Sequence, residues 1–158
     1  MSQNSKRLKL PPQAIDFEEA VLGAILIDKN AMAEVGDILS PEVFYKESHK
    51  EIFKATETLF QNAEPIDVMT VKNQLQLNKK LKLCGGAIYL AELTNKVISS
   101  ANIEYHSRII VQKHIQRELI STCSEIIQDS YDESTGAIEL LDSVESKIFA
   151  ISEGNIKK

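Results

Sequence analysis

The stretch NIEYHSRIIVQKHIQRELISTCSEIIQDSY, residues 102–131, decides the fold because it is the longest segment with one continuous helical pattern. Its apolar and weakly polar positions recur mostly at spacings of three and four, the period of an amphipathic helix. They are Ile103, His106, Ile109, Ile110, Ile115, Leu119, Ile120, Cys123, Ile126 and Ile127. The pattern predicts one long helix.

The segment 132–136 (DESTG) interrupts this pattern, and a second helix is predicted after it. Its stripe contains Ile138, Leu141, Val144, Ile148 and Ile151, with Leu140 and Phe149 beside it. Two helices joined by so short a loop predict an antiparallel hairpin. Apolar burial within a lone hairpin does not offset the backbone entropy of ordering it. We therefore expect the hairpin to pack on the rest of the chain, on a second copy, or on both.

The sequence pattern before residue 100 predicts several shorter helices that pack together into a compact head. The first begins near Ile15, and its apolar stripe contains Phe17, Ala20, Val21, Ala24 and Ile25. Glu18 and Glu19 fall in its first turn, where the helix dipole favours acids. Gly23 is unfavourable inside a helix, so it predicts the close approach of another helix.

Three further signals divide the rest of the head. Ser40-Pro41-Glu42 is typical of a helix start. A helix is predicted over residues 47–61, and Asp67 is expected to cap the next one. The predicted inner face of the helix over residues 47–61 contains His49, Ile52, Phe53, Thr56, Leu59 and Phe60.

Gly85 and Gly86 raise the question of a phosphate-binding loop, because they are the only adjacent glycines in the chain. Neither the Walker pattern nor the GxGxxG pattern surrounds them. We interpret them as a turn into a short helix, residues 87–93. A ribbon over residues 76–84 is the one strand considered. The predicted fold is therefore all-α, a compact helical head followed by a long antiparallel helical hairpin.

Composition narrows the class of function. The net charge of −5 argues against a dedicated nucleic-acid binder. The N-terminus lacks the apolar core of a secretion signal and no run is long enough to span a membrane, so a cytoplasmic protein is expected. Cys84 and Cys123 lack metal-binding spacing and are expected to be free, buried thiols. His49 and His106 are expected to be hydrogen-bonded core histidines, and no catalytic constellation is visible.

Two segments carry opposite charge. Residues 68–91 contain four lysines and no acid, whereas residues 132–153 contain six acids and Lys147 as the single base. Solvated surfaces account for both segments. A weak contact between single-stranded DNA and the lysines of residues 72–82 is one alternative. Steering of a basic partner by the acidic tip of the hairpin is another.

Six blocks of sequence, taken in order, resemble the N-terminal domain of the DnaB-type replicative DNA helicases of bacteria. They are EEAVLGAILID (18–28), ILSPEVFYKESHKEIFKA (38–55), EPIDVMTVKNQL (64–75), GGAIYLAEL (85–93), SSANIEYHSRIIVQK (99–113) and VESKIFAI (144–151). The resemblance covers nearly all of the chain between residues 14 and 152.

The resemblance implies that this domain and a separate motor domain have different functions in the parent helicase. The hairpins would pair between neighbouring subunits in the collar of a hexameric ring, a trimer of dimers. ATP and Mg²⁺ would be bound by a motor domain that this fragment lacks, so the fragment would be non-catalytic and hold no cofactor. The full-length parent would unwind duplex DNA using ATP. The implied partners are other copies, DnaG-type primase and, in some species, a helicase loader, with DNA contacted through the parent ring and no membrane.

The sequence patterns and the resemblance together predict the domain boundaries. Residues 1–13 would be a flexible arm, 14–100 the head, 101–153 the hairpin and 154–158 the start of a linker to an absent ATPase domain. A freestanding helical adaptor without a motor is the alternative, and a reading frame that continues into GxxxxGK[ST] would exclude it.

Two sets of site residues follow from the hairpin and the resemblance together. The predicted self-association residues are Leu119, Ile120, Cys123, Ile127, Ile138, Leu141, Val144 and Ile148. The predicted primase contacts are Ile126, Tyr131, Asp132 and Glu133. At this stage, residues that pack within one hairpin are not separated from those that pack between two.

Overall fold

A computed structural model describes residues 9–97 and 99–155, over which the chain forms seven α-helices and one 3-10 turn and no strand. The helices are α1 (Ile15–Ile27), α2 (Ala31–Val35), α3 (Glu47–Gln61), α4 (Val68–Leu77), α5 (Gly86–Asn95), α6 (Ile103–Tyr131) and α7 (Ala137–Asn155), and the 3-10 turn is Pro41–Val43. The all-α prediction is confirmed. Residues 1–8 of the predicted arm and 156–158 of the predicted linker lie outside the described residues.

Helix α1 is the centre of the head. Six consecutive residues, 21–26, are buried, because α5 and α6 pack along it and α2 and α3 also contact it. The buried surface of α1 is therefore wider than the predicted apolar stripe. A Cβ built on Gly23 would clash with the Leu93 carbonyl oxygen and the Val97 side chain, so the predicted close approach of another helix is confirmed.

Helices α3 and α4 form the second layer. His49, Ile52, Phe53, Thr56 and Leu59 are buried on α3 as predicted, but Phe60, near its C-terminal end, is 47% exposed. Asp67 caps α4 as predicted. Its Oδ1 accepts the Thr70 backbone N–H at 2.9 Å, and the Thr70 hydroxyl accepts the Asp67 N–H at 2.9 Å. This reciprocal pair satisfies two donors at the start of α4.

The segments between the helices differ most from the predictions. The strand considered over residues 76–84 does not form, because α4 continues to Leu77 and turns follow it up to Gly85. Ser40 begins only the 3-10 turn, and its side chain makes no capping hydrogen bond there. Gly85 and Gly86 have φ of +83° and +71°, values that glycine adopts without steric cost. They turn the chain into α5, as predicted.

Helices α6 and α7 form the predicted antiparallel pair. The first turns of α6 are packed beneath the head, where Ile103, Ser107 and Ile110 are buried. Beyond Ile110 no described residue of α6 is buried, nor is any residue of α7, which is described throughout. Within the described part of the chain, no helix is long and apolar enough to cross a membrane.

Candidate interaction surface on the helical hairpin

Arg117 anchors the hairpin to the head. Its Nη1 donates to the Pro12 carbonyl at 2.7 Å and its Nη2 to the Val43 carbonyl at 2.8 Å. The guanidinium carbon also lies 5.3 Å from the centre of the Tyr45 ring. Burial lowers the pKa of Arg117, and the negative charge of Glu18 opposes that shift. One side chain of α6 thus holds both the segment before α1 and the 3-10 turn.

A buried polar network supports this anchor from inside the head. Glu18 is 1% exposed, accepts the Tyr45 backbone N–H at 2.9 Å and lies 2.8 Å from His49 Nδ1. His49 Nε2 lies 2.6 Å from the Tyr89 hydroxyl. Burial, followed by the nearby carboxylate of Glu19, raises the pKa of Tyr89 to about 12. The network ties α1, α3 and α5 together at the point where the hairpin is attached.

The structure tests the predictions made for the two histidines and for Glu18. His49 is a hydrogen-bonded core histidine, as expected. His106 is not fully buried as expected, and its ring makes a T-shaped contact with the Phe17 ring, with the ring centroids 5.1 Å apart. Glu18 lies in the first turn of α1, as predicted, whereas Glu19 follows that turn. The burial of the Glu18 carboxylate in the network was not predicted. The signal that was missed is an acid aligned with the apolar residues Leu22 and Ile25 on one face of α1.

The two helices of the hairpin meet along a seam of half-buried side chains. Its members are Ile115, Thr122, Ile126 and Asp129 of α6, and Leu140, Val144, Lys147 and Ile151 of α7. Lys147 Nζ lies 3.2 Å from Glu125 and 3.3 Å from Asp129, and these two carboxylates raise its pKa. Ile126 and Val144, predicted to contact primase and a second copy respectively, thus lie between the helices of a single hairpin.

One side of the hairpin is apolar and open to solvent. Helical rotation of about 100° per residue places Leu119, Cys123 and Ile127 to one side of the α6 seam, with Ile120 beyond them toward the outer side of α6. It places Leu141 and Ile148 to one side of the α7 seam. Because the helices are antiparallel, both groups turn to the same side. We call these six residues the hairpin face. Its large side chains range from 38% exposure at Leu119 to 59% at Ile127 and Leu141.

The cysteines differ from each other. Cys84 is buried as expected, its thiol lies 3.5 Å from the Ser48 carbonyl, and burial raises its pKa to about 11. Cys123 is exposed on the hairpin face, so the prediction of a buried thiol is wrong for that residue. The reason is that, among the described residues, the part of α6 beyond the head packs on α7, and Cys123 lies to the side of that contact.

The remaining predicted residues lie outside the hairpin face. Ile138 is 72% exposed on the side of α7 that is opposite the seam. Tyr131, Asp132 and Glu133 are exposed together at the tip of the hairpin. There Asp132 Oδ1 accepts hydrogen bonds from the Ser134 hydroxyl and backbone N–H, and these bonds lower the pKa of Asp132. The structure thus separates an apolar side from a polar tip.

The fold and this surface define an all-helical domain whose projecting hairpin carries an uncovered apolar side. The sequence model for the DnaB-like helicase N terminal domain matches residues 10–112, about two-thirds of the chain. The chain belongs to this family.

Curated relatives agree with this assignment. Over 150 residues the chain is 42% identical to the replicative DNA helicase DnaB of Rhodothermus marinus, a match that covers 95% of the chain and 16% of that protein. It is 39% identical over 145 residues to the replicative DNA helicase DnaB of Geobacillus stearothermophilus, covering 92% of the chain and 32% of that protein. The chain therefore spans between a sixth and a third of the length of these relatives.

Solved structures have the same fold. The N-terminal domain of the DnaB helicase from Mycobacterium tuberculosis matches with a TM-score of 0.85 and 32% identity, over 90% of this chain and 99% of that one. A DnaB-like replicative helicase, whose structure was described with its interactions with primase, matches with a TM-score of 0.72 and 25% identity. That match covers 87% of this chain and 31% of the helicase.

Proposed function

We propose that this chain is the non-catalytic collar domain of a replicative DNA helicase, which holds copies of the parent enzyme together and docks primase. ATP hydrolysis, with its Mg²⁺, and DNA unwinding would belong to the remaining length of the parent. The collar would form a trimer of dimers in the cytoplasm, receive a helicase loader in some species, and meet DNA only through the parent ring.

The observation that supports assembly is the hairpin face. Contiguous apolar side chains exposed along two helices are typical of a protein–protein contact rather than of a solvated surface. Pairing this face with the same face of a second copy would give an isologous contact, the kind found in two-fold symmetric dimers. It would also bury the side chains that leave the hairpin marginal on its own.

Leu141→Asp tests this assembly. Leu141 lies on the hairpin face and is 59% exposed, so the monomer tolerates an aspartate there. In a paired hairpin the carboxylate would be desolvated without a partner, which costs several kcal/mol. We expect the parent chain to associate at micromolar concentration and the variant to associate more weakly, as measured by sedimentation equilibrium.

Ile27→Asp is the matched control, because Ile27 is 54% exposed at the end of α1 and is not a residue of the hairpin face. It should associate as the parent does. If the Leu141 variant associates as strongly as the parent, the hairpin face is not the pairing surface.

Primase docking is proposed for the tip of the hairpin. The support is its exposed Tyr131, Asp132 and Glu133, together with the related helicase described with primase. An exposed tyrosine flanked by acids suits a partner with an apolar pocket and basic rim. Ile126, in the seam, would support the tip without touching the partner.

Calorimetric titration with the C-terminal domain of the cognate primase checks this docking. We expect saturable heat with a defined stoichiometry, and its loss in Tyr131→Ala/Glu133→Lys. Glu153→Lys, which makes the same charge change at the other end of α7, should leave the heat unchanged. Heat that is insensitive to the tip variant would place primase elsewhere on the collar.

A further inference from the structure

The turn between α4 and α5 forms a basic and apolar surface on an otherwise acidic molecule. The whole chain carries −5, and residues 68–91 carry four lysines and no acid, so the rest of the chain carries −9. We call residues 77–83 the basic loop. Leu77 is 69% and Leu83 55% exposed, with Lys79 and Lys82 exposed beside them. Across the described residues, no carboxylate lies within ion-pair distance of these two lysines.

Lys79 adopts a backbone conformation that side chains seldom take. Its φ is +59°, at the position after the α4 cap where glycine is favoured. The turn is closed by the Lys80 N–H, which donates to the Leu75 carbonyl at 2.8 Å. A lysine at this position costs stability relative to glycine and keeps a positive charge at the apex of the turn.

The outer side of α7, opposite the seam, has the complementary chemistry. Rotation of about 100° per residue aligns Ile138, Asp142, Glu145, Phe149 and Glu153 on this side. All five are exposed. Lys147, the single base of residues 132–153, points into the seam and is held there by Glu125 and Asp129. The outer side is therefore uniformly acidic between two large apolar side chains, and it is distinct from the hairpin face.

We propose that the basic loop of one copy binds the outer side of α7 of a second copy. Lys79 and Lys82 would meet Asp142 and Glu145, while Leu77 and Leu83 would cover Ile138 or Phe149. This proposal rests on the proposed function in one respect. The outer side of α7 is free to bind a loop only if the hairpins pair through the hairpin face. The contact is heterologous, so together with hairpin pairing it links dimers into larger closed or open assemblies.

The packing of the helices favours a contact between copies over one within a copy. Helix α4 packs on α3 and α5, whereas α6 leaves the head from α1, α2 and the 3-10 turn. The basic loop and the hairpin are thus attached to different parts of the head. A nucleic-acid partner is disfavoured because the basic loop, residues 77–83, contains no aromatic side chain on which bases could stack.

A carbodiimide cross-link tests the contact directly. The reagent joins a lysine amine to a carboxylate as an amide with loss of water, so it captures the proposed ion pairs. With equal amounts of ¹⁵N-labelled and unlabelled chain, we expect mixed-isotope peptides that join residues 77–83 to residues 138–153. Absence of such peptides, or their occurrence only within one copy, would overturn the proposal.

Charge reversal gives an independent readout. Lys79→Glu/Lys82→Glu and Asp142→Lys/Glu145→Lys should each reduce the parent assembly to a dimer in sedimentation velocity, and an equal mixture of the two variants should restore it. Lys29→Glu/Lys54→Glu is the matched control on exposed lysines elsewhere in the head and should sediment as the parent does. In about 1 M salt, where the Debye length is about 3 Å, the larger species should also be lost.

The outcomes separate this inference from the proposed function. A dimer that Leu141→Asp dissociates, combined with no effect of the loop variants, overturns the inference alone. Cross-links between copies in the parent chain, together with no effect of Leu141→Asp on association, support the inference and contradict hairpin pairing. Binding of a labelled oligothymidylate that the loop variants abolish, without any cross-link between copies, would identify nucleic acid as the partner of the loop and overturn the inference.

Discussion

Gly23 shows how one missing side chain determines the packing of the head. Alanine there would gain about 1 kcal/mol of helix propensity. Its Cβ, however, would clash with the Leu93 carbonyl oxygen, which belongs to the backbone of α5 and cannot rotate away. Overpacking typically costs about 1–3 kcal/mol. We expect Gly23→Ala to lower the free energy of unfolding by up to about 2 kcal/mol in urea denaturation.

Gly154→Ala is the control for that substitution. A Cβ at Gly154, in α7, meets nothing within 4 Å, so only the helix propensity changes. This variant should be neutral or slightly more stable than the parent. A stable Gly23→Ala variant would mean that α5 is free to move away from α1.

At the scale of residues, the sequence indicated which side chains matter for packing and capping, but it did not indicate all of their contacts. Asp67 and Gly23 could be interpreted because a cap and a close approach are local or nearly local effects. The partners of Glu18 are His49 and the Tyr45 backbone, about thirty positions away. A helical period contains no information about contacts at such a separation, so the position of Glu18 in the first turn of α1 was predicted and its buried partners were not.

Among the elements, the attachment of α6 to the head depends on Arg117. Its two hydrogen bonds go to carbonyl oxygens, and bonds that involve a charged group contribute about 1.5–3 kcal/mol each when buried. Arg117 is only half-buried, so we expect Arg117→Met to cost about 1–3 kcal/mol of unfolding free energy in total. Methionine keeps an apolar stem of similar length and removes only the donors.

Arg108→Met, on an exposed part of the same helix, is the comparison for Arg117. It should change the unfolding free energy by no more than about 0.5 kcal/mol, as is usual for surface substitutions. Equal costs for the two variants would show that the carbonyl contacts of Arg117 do not hold the hairpin in place.

Length separates the elements that could be predicted from those that could not. Helices α3, α6 and α7 contain several turns of regular apolar spacing, and their predicted positions were right to within a few residues. Helix α2 has five residues and the 3-10 turn has three, too few to show a period. The short segment over residues 76–84 was ambiguous for the same reason, and only its packing resolves it into the end of α4 and a series of turns.

For the molecule as a whole, the hairpin was predictable and the use of its sides was not. The apolar stripe of α7 contains both Val144, in the seam, and Leu141, on the hairpin face. Two positions that differ by three residues are neighbours in any helical pattern, yet the antiparallel partner covers one and leaves the other exposed. The separation requires the orientation of α6 relative to α7, which is a tertiary property.

The absence of buried side chains in α7 has a consequence for how its backbone opens. Residues that lack buried contacts are released in low-energy local openings, whereas the centre of α1 opens only with global unfolding. In a dilute solution of the chain, we expect the amide hydrogens of α7 to exchange with solvent deuterium orders of magnitude faster than those of residues 21–26.

If association covers the helix, protection of the α7 amides should rise with chain concentration by mass action, while protection of the α1 amides stays constant. Exchange of α7 that is independent of concentration would contradict this coupling. If protection does rise with chain concentration, the order of the hairpin depends on how many copies pack around it.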